Sequence, residues 1–93
     1  MRTIKRTARF KRDYKRESKG PHRATLDQEL RAVLAFLVAD SPVPEKYRDH
    51  PLKGEWKDHR DCHLKPDLIL PYRKPDSETL VLVRLGSHSE LSL

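Results

Sequence analysis

The sequence has little of what several fold and function classes require. A lone cysteine, Cys62, excludes an internal disulfide framework and suits a reducing compartment. The three glycines form no phosphate-cradling run, which excludes a P-loop or a dinucleotide fingerprint. No stretch approaches the roughly 20 apolar residues that span a bilayer. No apolar run follows the amino-terminal charges either, so a signal peptide is not expected and a cytoplasmic location is. Without repeats or a low-complexity linker, the expectation is one domain over residues 1–93. Hydrophobic residues (35%) are outnumbered by charged ones (37%), so the core must come from a few dense segments.

Acidic residues are scarce at one end only. Residues 1–20 hold nine Lys/Arg and two Asp/Glu, a net of +7, while the remainder is near neutral at −1. A basic arm of this kind favours a polyanionic partner, either nucleic acid or an acidic protein. The plain alternative is a solvated basic helix face.

What is present orders itself into β-α-α-β-β-β. A short strand around Thr3–Arg6 precedes a helix from Ala8 to Lys19, capped by Thr7 and pairing Phe10 with Tyr14. Leu26, Leu30, Val33, Leu34, Leu37 and Val38 form one stripe at helical spacing, with Thr25 and Gln28 reading as a capping box and Pro42 and Pro44 ending the helix. "WKDHRDCHL" (56–64) alternates as a strand, placing Lys57, His59, Asp61 and His63 on one face and Trp56 and Cys62 on the other. After a Leu64–Lys65–Pro66 turn, "DLILPY" (67–72) is its hairpin partner; Pro71 removes a ladder donor and marks a bulge or an unpaired side. "TLVLVRL" (79–85) is apolar on both faces, as a central strand is. The fold class is α+β, an antiparallel sheet packed against a helical hairpin. Trp56 is expected to anchor the core.

"DHPLKGEWKDHRDCHLKPD" (49–67) gathers three of the five histidines and the only cysteine. A zinc site from His59, Cys62 and His63 lacks the usual fourth ligand, and strand alternation turns His59 and Cys62 to opposite faces. Cys62 beside His63 is sequence adjacency, which does not make a nucleophile and base; facing the helices, the thiol is a small core residue. Acid–base chemistry suits the layout better. The turn is expected to return Asp67 beside His63, His50 lies in the preceding loop, and His88 follows the central strand, whose end carries Arg84, a charge suited to phosphate. From spacing alone, a catalytic cluster and a polar surface both stay open.

The same residues carry a resemblance. "DHPLKGEWKDHRDCHLKPDLIL" followed by "RLGSH" closely resembles the YafQ branch of the RelE/ParE toxin superfamily. The pattern DHPL-x-G-x-W-K-x-x-R-D-x-H-x-x-P-D runs without gaps from Asp49 to Asp67, and R-x-G-x-H falls on Arg84, Gly86 and His88. The resemblance implies a RelE-like α+β fold and the toxin of a type II toxin–antitoxin system, a ribonuclease cleaving mRNA on the ribosome and silenced by an antitoxin. It implies His50, His63, Asp67 and His88 as the catalytic set, with His88 the proton donor. The ribose 2′-OH would serve as nucleophile, so neither metal nor cofactor is expected. Either His50 or Asp67 would be the base, and Arg84 with Lys53 or Lys57 would offset charge on the phosphate. Asp61 either orients His63 or lies on the surface. The partners expected are mRNA, the ribosome and an acidic antitoxin segment folding on binding, with no membrane. One departure stands out: relatives carry an aromatic near the carboxyl end where this chain has Ser92. Two other classes share parts of the pattern, a ParE-like inhibitor of DNA gyrase and a non-catalytic nucleic-acid-binding module; both leave the histidines idle.

Overall fold

Thr7 does two jobs where the first helix begins. A computed structural model describes residues 1–93, and in it Thr7 Oγ1 accepts a hydrogen bond from Phe10 N (3.0 Å) while donating one to Val83 O (2.7 Å). The hydroxyl thereby caps α1 (Ala8–Glu17) and ties its start to a distant strand end. α1 stops two residues short of Lys19, because Lys19 N and Gly20 N bond to Arg16 O and Glu17 O in a tightened last turn. The Phe10 and Tyr14 rings stack at 6.3 Å between centroids, as the spacing predicts. α2 (Leu26–Val38) buries Leu26, Leu30, Val33 and Leu37 and half-buries Leu34 and Val38. Thr25 makes no side-chain cap; its backbone is already near-helical and its N–H bonds to His22 O, so a turn rather than a capping box leads into α2. Neither helix is long and apolar enough to cross a membrane.

Five strands form one sheet in the order β1-β5-β4-β3-β2: β1 (Thr3–Arg6), β2 (His50–Pro51), β3 (Arg60–Lys65), β4 (Leu68–Arg73) and β5 (Thr79–Leu82). The antiparallel expectation needs correcting at one edge. β1 runs parallel to β5, because the α1–α2 pair and all later strands intervene, supplying the long return that a parallel neighbour requires. The helices and sheet enclose one apolar cluster in which Phe10, Leu26, Val33 and Leu37 meet Cys62, Leu70, Tyr72, Leu80 and Leu82. Cys62 is fully buried, and burial pushes its thiol pKa up to about 12, which makes it an inert core group.

Pro71 shapes the far end of the sheet. β4 pairs with β5 only at Tyr72–Leu82 and Arg73–Val81. Pro71 O accepts from Val83 N (3.0 Å) and from Arg84 N (3.5 Å). A strand residue presents its N–H and C=O to the same neighbour, so the donor that proline lacks is missing from the β5 side. The ladder opens there and closes again only at Ile69–Gly86, leaving Val83–Leu85 as a bulged segment.

The β3 strand begins later than alternation suggested. Gly54–Trp56 is a 3-10 turn, and Gly54 and Asp58 adopt positive φ (66° and 72°), which breaks the period before Arg60. Lys57 and His59 therefore lie outside the strand carrying Asp61 and His63. Trp56 is half-exposed and is not a core anchor. The hairpin turn is Pro66–Asp67, with a bulge at Leu64 that lets His63 pair with Ile69 and Lys65 with Leu68.

Candidate active site

Strand pairing assembles the histidines. β2 sets His50 opposite Asp61 on β3, and the period of two puts His63 on the Asp61 face. The Ile69–Gly86 bridge then delivers the chain to Ser87, whose hydroxyl accepts from Glu90 N (3.2 Å) while Glu90 Oε1 accepts from Ser87 N (2.9 Å). This capping box opens α3 (His88–Leu91) with His88 at its first position. The result is a row of imidazoles. His50 and His63 stand 5.7 Å apart between ring centroids, and His63 and His88 5.4 Å.

Each ring is held differently. His50 Nδ1 lies 2.7 Å from Arg48 O, and since a carbonyl only accepts, Nδ1 carries the proton and Nε2 is left free. His88 Nδ1 lies 2.6 Å from Asp67 Oδ1, which also accepts from the His88 backbone N–H at 2.9 Å. That N–H, followed by the imidazole, holds the Asp67 carboxyl below its usual pKa, so Asp67 stays ionised and engaged with His88. The hairpin turn therefore sets Asp67 against His88 and not, as the spacing predicts, beside His63. The carboxylate next to His63 is Asp61, its Oδ1 3.7 Å from His63 Nε2 and 3.2 Å from His50 Nδ1. Asp61 is 2% exposed and burial raises its pKa, an effect the charges of His50 and His63 oppose. Burial likewise lowers the pKa of His63 and favours its neutral ring. Despite the short His50 distance, Asp61 Oδ1 has no hydrogen bond of acceptable geometry, and neither has His63 Nδ1.

Donor atoms from His50, Asp61 and His63 all lie within 4.8 Å of one another, a set that fits a metal ion. The trio weighed from sequence, His59, Cys62 and His63, does not assemble, because Cys62 faces the core and His59 sits outside the strand.

Arg84 emerges from the bulge beside Pro71 and meets α1. Asp13, only 4% exposed, accepts from Arg84 Nε (2.6 Å) and Nη2 (3.2 Å), from Leu85 N (3.0 Å) and from Arg16 Nη1 (3.0 Å). Burial opposes ionisation of Asp13, yet the Arg84 and Leu85 hydrogen bonds and the two guanidinium charges outweigh it and lower the pKa. Arg16 also donates to Leu85 O (2.8 Å) and pairs with Glu17 (3.0 Å) and Glu90 (3.1 Å). Gly86 fits because a Cβ there would stand 2.8 Å from Arg16 Nη2. Asp13 escaped sequence reasoning: an acid in a basic helix reads as solvated, and the partners that bury it, Arg84 and Leu85, are 71 and 72 residues away. A cleft of about 710 Å³ next to Arg84 includes Lys53 among its lining residues, whereas Lys57 is exposed and not part of that lining.

With this geometry in place, likeness to known proteins is informative. The profile of the family described as "Bacterial toxin of type II toxin-antitoxin system, YafQ" matches residues 2–93. The mRNA interferase toxin YafQ of Escherichia coli K12 is 34% identical, covering 95% of this chain and 97% of the relative. The toxin in the crystal structure of the E. coli DinJ–YafQ toxin–antitoxin complex superposes with a TM-score of 0.82 at 34% identity, over 97% of this chain and 96% of that one. A metal-bound toxin from Helicobacter pylori superposes with a TM-score of 0.81 at 46% identity, over 98% and 99% of the two chains.

Proposed function

Because the chain belongs to the YafQ family of bacterial type II toxin–antitoxin toxins, we propose that it is a ribosome-dependent mRNA endoribonuclease acting by proton transfer between imidazoles. The observation that carries this reading is the contiguous row of His50, His63 and His88, with an outer ring fixed through Nδ1 at each end. RNA supplies its own nucleophile. His50 Nε2 removes the proton of the ribose 2′-OH, the oxygen attacks the adjacent phosphorus, and His88 donates a proton from Nε2 to the departing 5′ oxygen. The products are a 2′,3′-cyclic phosphate and a 5′-hydroxyl. The hydrogen bonds of Asp67 to His88 support a positioning role for Asp67 and favour His50 as the base. Neutral His63, between the two, donates to the phosphate, and the N–H groups of Arg84 not used by Asp13 offset charge on the non-bridging oxygens, with Lys53 nearby.

Primer extension on mRNA in a translation extract tests this directly. Cleavage bands appear on translated messages with the wild-type chain. His88→Gln loses about 10²–10⁴-fold in rate, and near-wild-type cleavage by that variant removes His88 from the mechanism. Inhibition of DNA gyrase without RNA cleavage would point to the ParE-like alternative.

A second reading has its own observation, the His50–Asp61–His63 donor set, together with the metal-bound H. pylori relative. A cation there would supply Lewis-acid stabilisation of the phosphate. Protein stripped with EDTA and desalted before it enters the extract separates the two: stoichiometric divalent metal in the purified protein that is lost in His50→Ala and Asp61→Asn assigns the trio to a metal, and full cleavage by protein that takes up no stoichiometric metal leaves proton transfer sufficient.

The partner that silences the toxin is an antitoxin, as DinJ is in the E. coli complex. Arg9, Arg12 and Lys15 are exposed along α1 and favour an acidic segment that folds on binding.

A further inference from the structure

The chain's only tryptophan is not used by the chemistry above. Trp56 is half-exposed at the end of the 3-10 turn, and its ring and that of His59 stand nearly perpendicular, 5.4 Å apart between centroids at an interplanar angle of 88°. His59 is itself fixed, its Nδ1 donating to Lys57 O (3.1 Å). Both rings line the cleft of about 710 Å³ that separates the Lys53–His59 segment from α3 and contains Arg84. Pockets for small ligands run from roughly 300 to 1,000 Å³, so the cleft is large enough for one nucleotide. Arg9, Lys53 and Arg84 bring three cations to it against two carboxylates, Glu55 and Glu90, and Glu90 is already paired with Arg16. Arg84 is held by Asp13 through Nε and Nη2 and keeps Nη1 for a ligand, while Arg9 and Lys53 make no ion pair; an indole beside these cations suits a flat ring joined to a phosphate.

We propose that this cleft is a nucleobase subsite, in which a base flanking the cleaved phosphate stacks on Trp56 while Arg84 and Lys53 hold its backbone. The proposal rests on the endoribonuclease reading for the identity of the strand. Arg84 joins the two sites: it lines the cleft and stands four residues before His88 in the segment that the Asp13 network holds. Stacking asks little of base identity, so the subsite supplies affinity and register, and His59 beside the indole adds a polar edge that can discriminate.

Trp56 is also the reporter. A 2′-O-methyl oligoribonucleotide, which lacks the nucleophile and cannot be cleaved, is titrated into the protein while indole fluorescence is followed. Saturable quenching is expected. In a parallel titration of the fluorescently labelled oligonucleotide read by anisotropy, Trp56→Leu weakens binding by roughly 5- to 150-fold, the range that stacking energies of single bases imply. Trp56→Phe, with an aromatic face retained, keeps most of the affinity. Circular dichroism verifies that both variants fold. Binding without quenching, or Trp56→Leu binding as tightly as wild type, overturns the subsite. So does quenching by an acidic decapeptide in place of the oligonucleotide, which would make the cleft a protein-docking site. The two readings fail separately: wild type still quenches but leaves translated mRNA uncut if only the endoribonuclease reading is wrong, and still cleaves translated mRNA without quenching if only the subsite is.

Discussion

Asp13→Asn isolates the contact that places Arg84. The carboxylate accepts four hydrogen bonds, Oδ1 from Arg16 Nη1 and Arg84 Nη2, Oδ2 from Arg84 Nε and Leu85 N. Asparagine has almost the same shape but presents an NH₂ to one of those pairs, so two donors face a donor whichever way the amide turns. Removing one partner of a buried ion pair costs about 3–5 kcal/mol. Arg84 is nearly as buried as this figure assumes, with a side chain 16% exposed, but Arg16 is 42% exposed and its share is screened. The expected loss is therefore about 2–4 kcal/mol, from a total near 5–14 kcal/mol for a chain of this length. Urea unfolding at pH 7 reads it directly, and the Tm falls by roughly 10–30 °C.

The pH dependence separates this cause from a generic packing defect. Asp13 has a folded pKa below its ordinary value of 3.8, so its contribution is complete above that value and disappears as pH falls through the folded pKa. The gap between wild type and variant should be flat at neutral pH and close on acidification. A gap under about 0.5 kcal/mol at pH 7, within the range of ordinary surface substitutions, refutes the reasoning. A gap that does not shrink in acid refutes it too. Cleavage gives a second check: per folded molecule, Asp13→Asn lowers the rate in the wild-type background and adds nothing in an Arg84→Gln background, as expected when one residue acts through another.

Gly86→Ala should destabilise by about 1–3 kcal/mol, because its Cβ would meet Arg16 Nη2 at 2.8 Å and that nitrogen is held by Leu85 O; thermal denaturation measures it. Asp61→Asn should gain about 1 kcal/mol at pH 7. The raised Asp61 pKa means that its favourable contribution is present below 3.8 and lost as pH rises through the folded pKa, so the variant's advantage grows along that rise; a variant less stable at pH 7 counts against it. Charge reversal at Arg9, Arg12 and Lys15 should weaken antitoxin binding at least tenfold and flatten its salt dependence, and unchanged affinity by calorimetry would move the docking face away from α1.

Local signals in the sequence were sufficient wherever the physics is local. The six-residue apolar stripe marked α2, the Thr7 hydroxyl marked the start of α1, and alternation sent Cys62 inward. His50, His63 and His88 were legible as a set, and the structure brings them into one row. Their partners were not. Whether Asp67 meets His63 or His88 depends on where the β4–β5 ladder reopens, and that follows from a donor missing at Pro71 and a bridge at Gly86. Two positive-φ residues shorten β3 and leave Trp56 in the open, a backbone choice that alternation of residue types does not encode. The basic arm shows the same limit in its charge. Counting gives +7 for residues 1–20, as though two acids tempered nine cations over a common surface. Asp13 and Glu17 are instead both buried, engaged with Arg84 and Arg16 beneath the helix. Arg9, Lys11, Arg12 and Lys15 remain exposed on the helix with no exposed acid among them. An approaching polyanion therefore meets a surface more cationic than the composition states, because the acids that would have balanced it hold the Arg84–His88 segment in place.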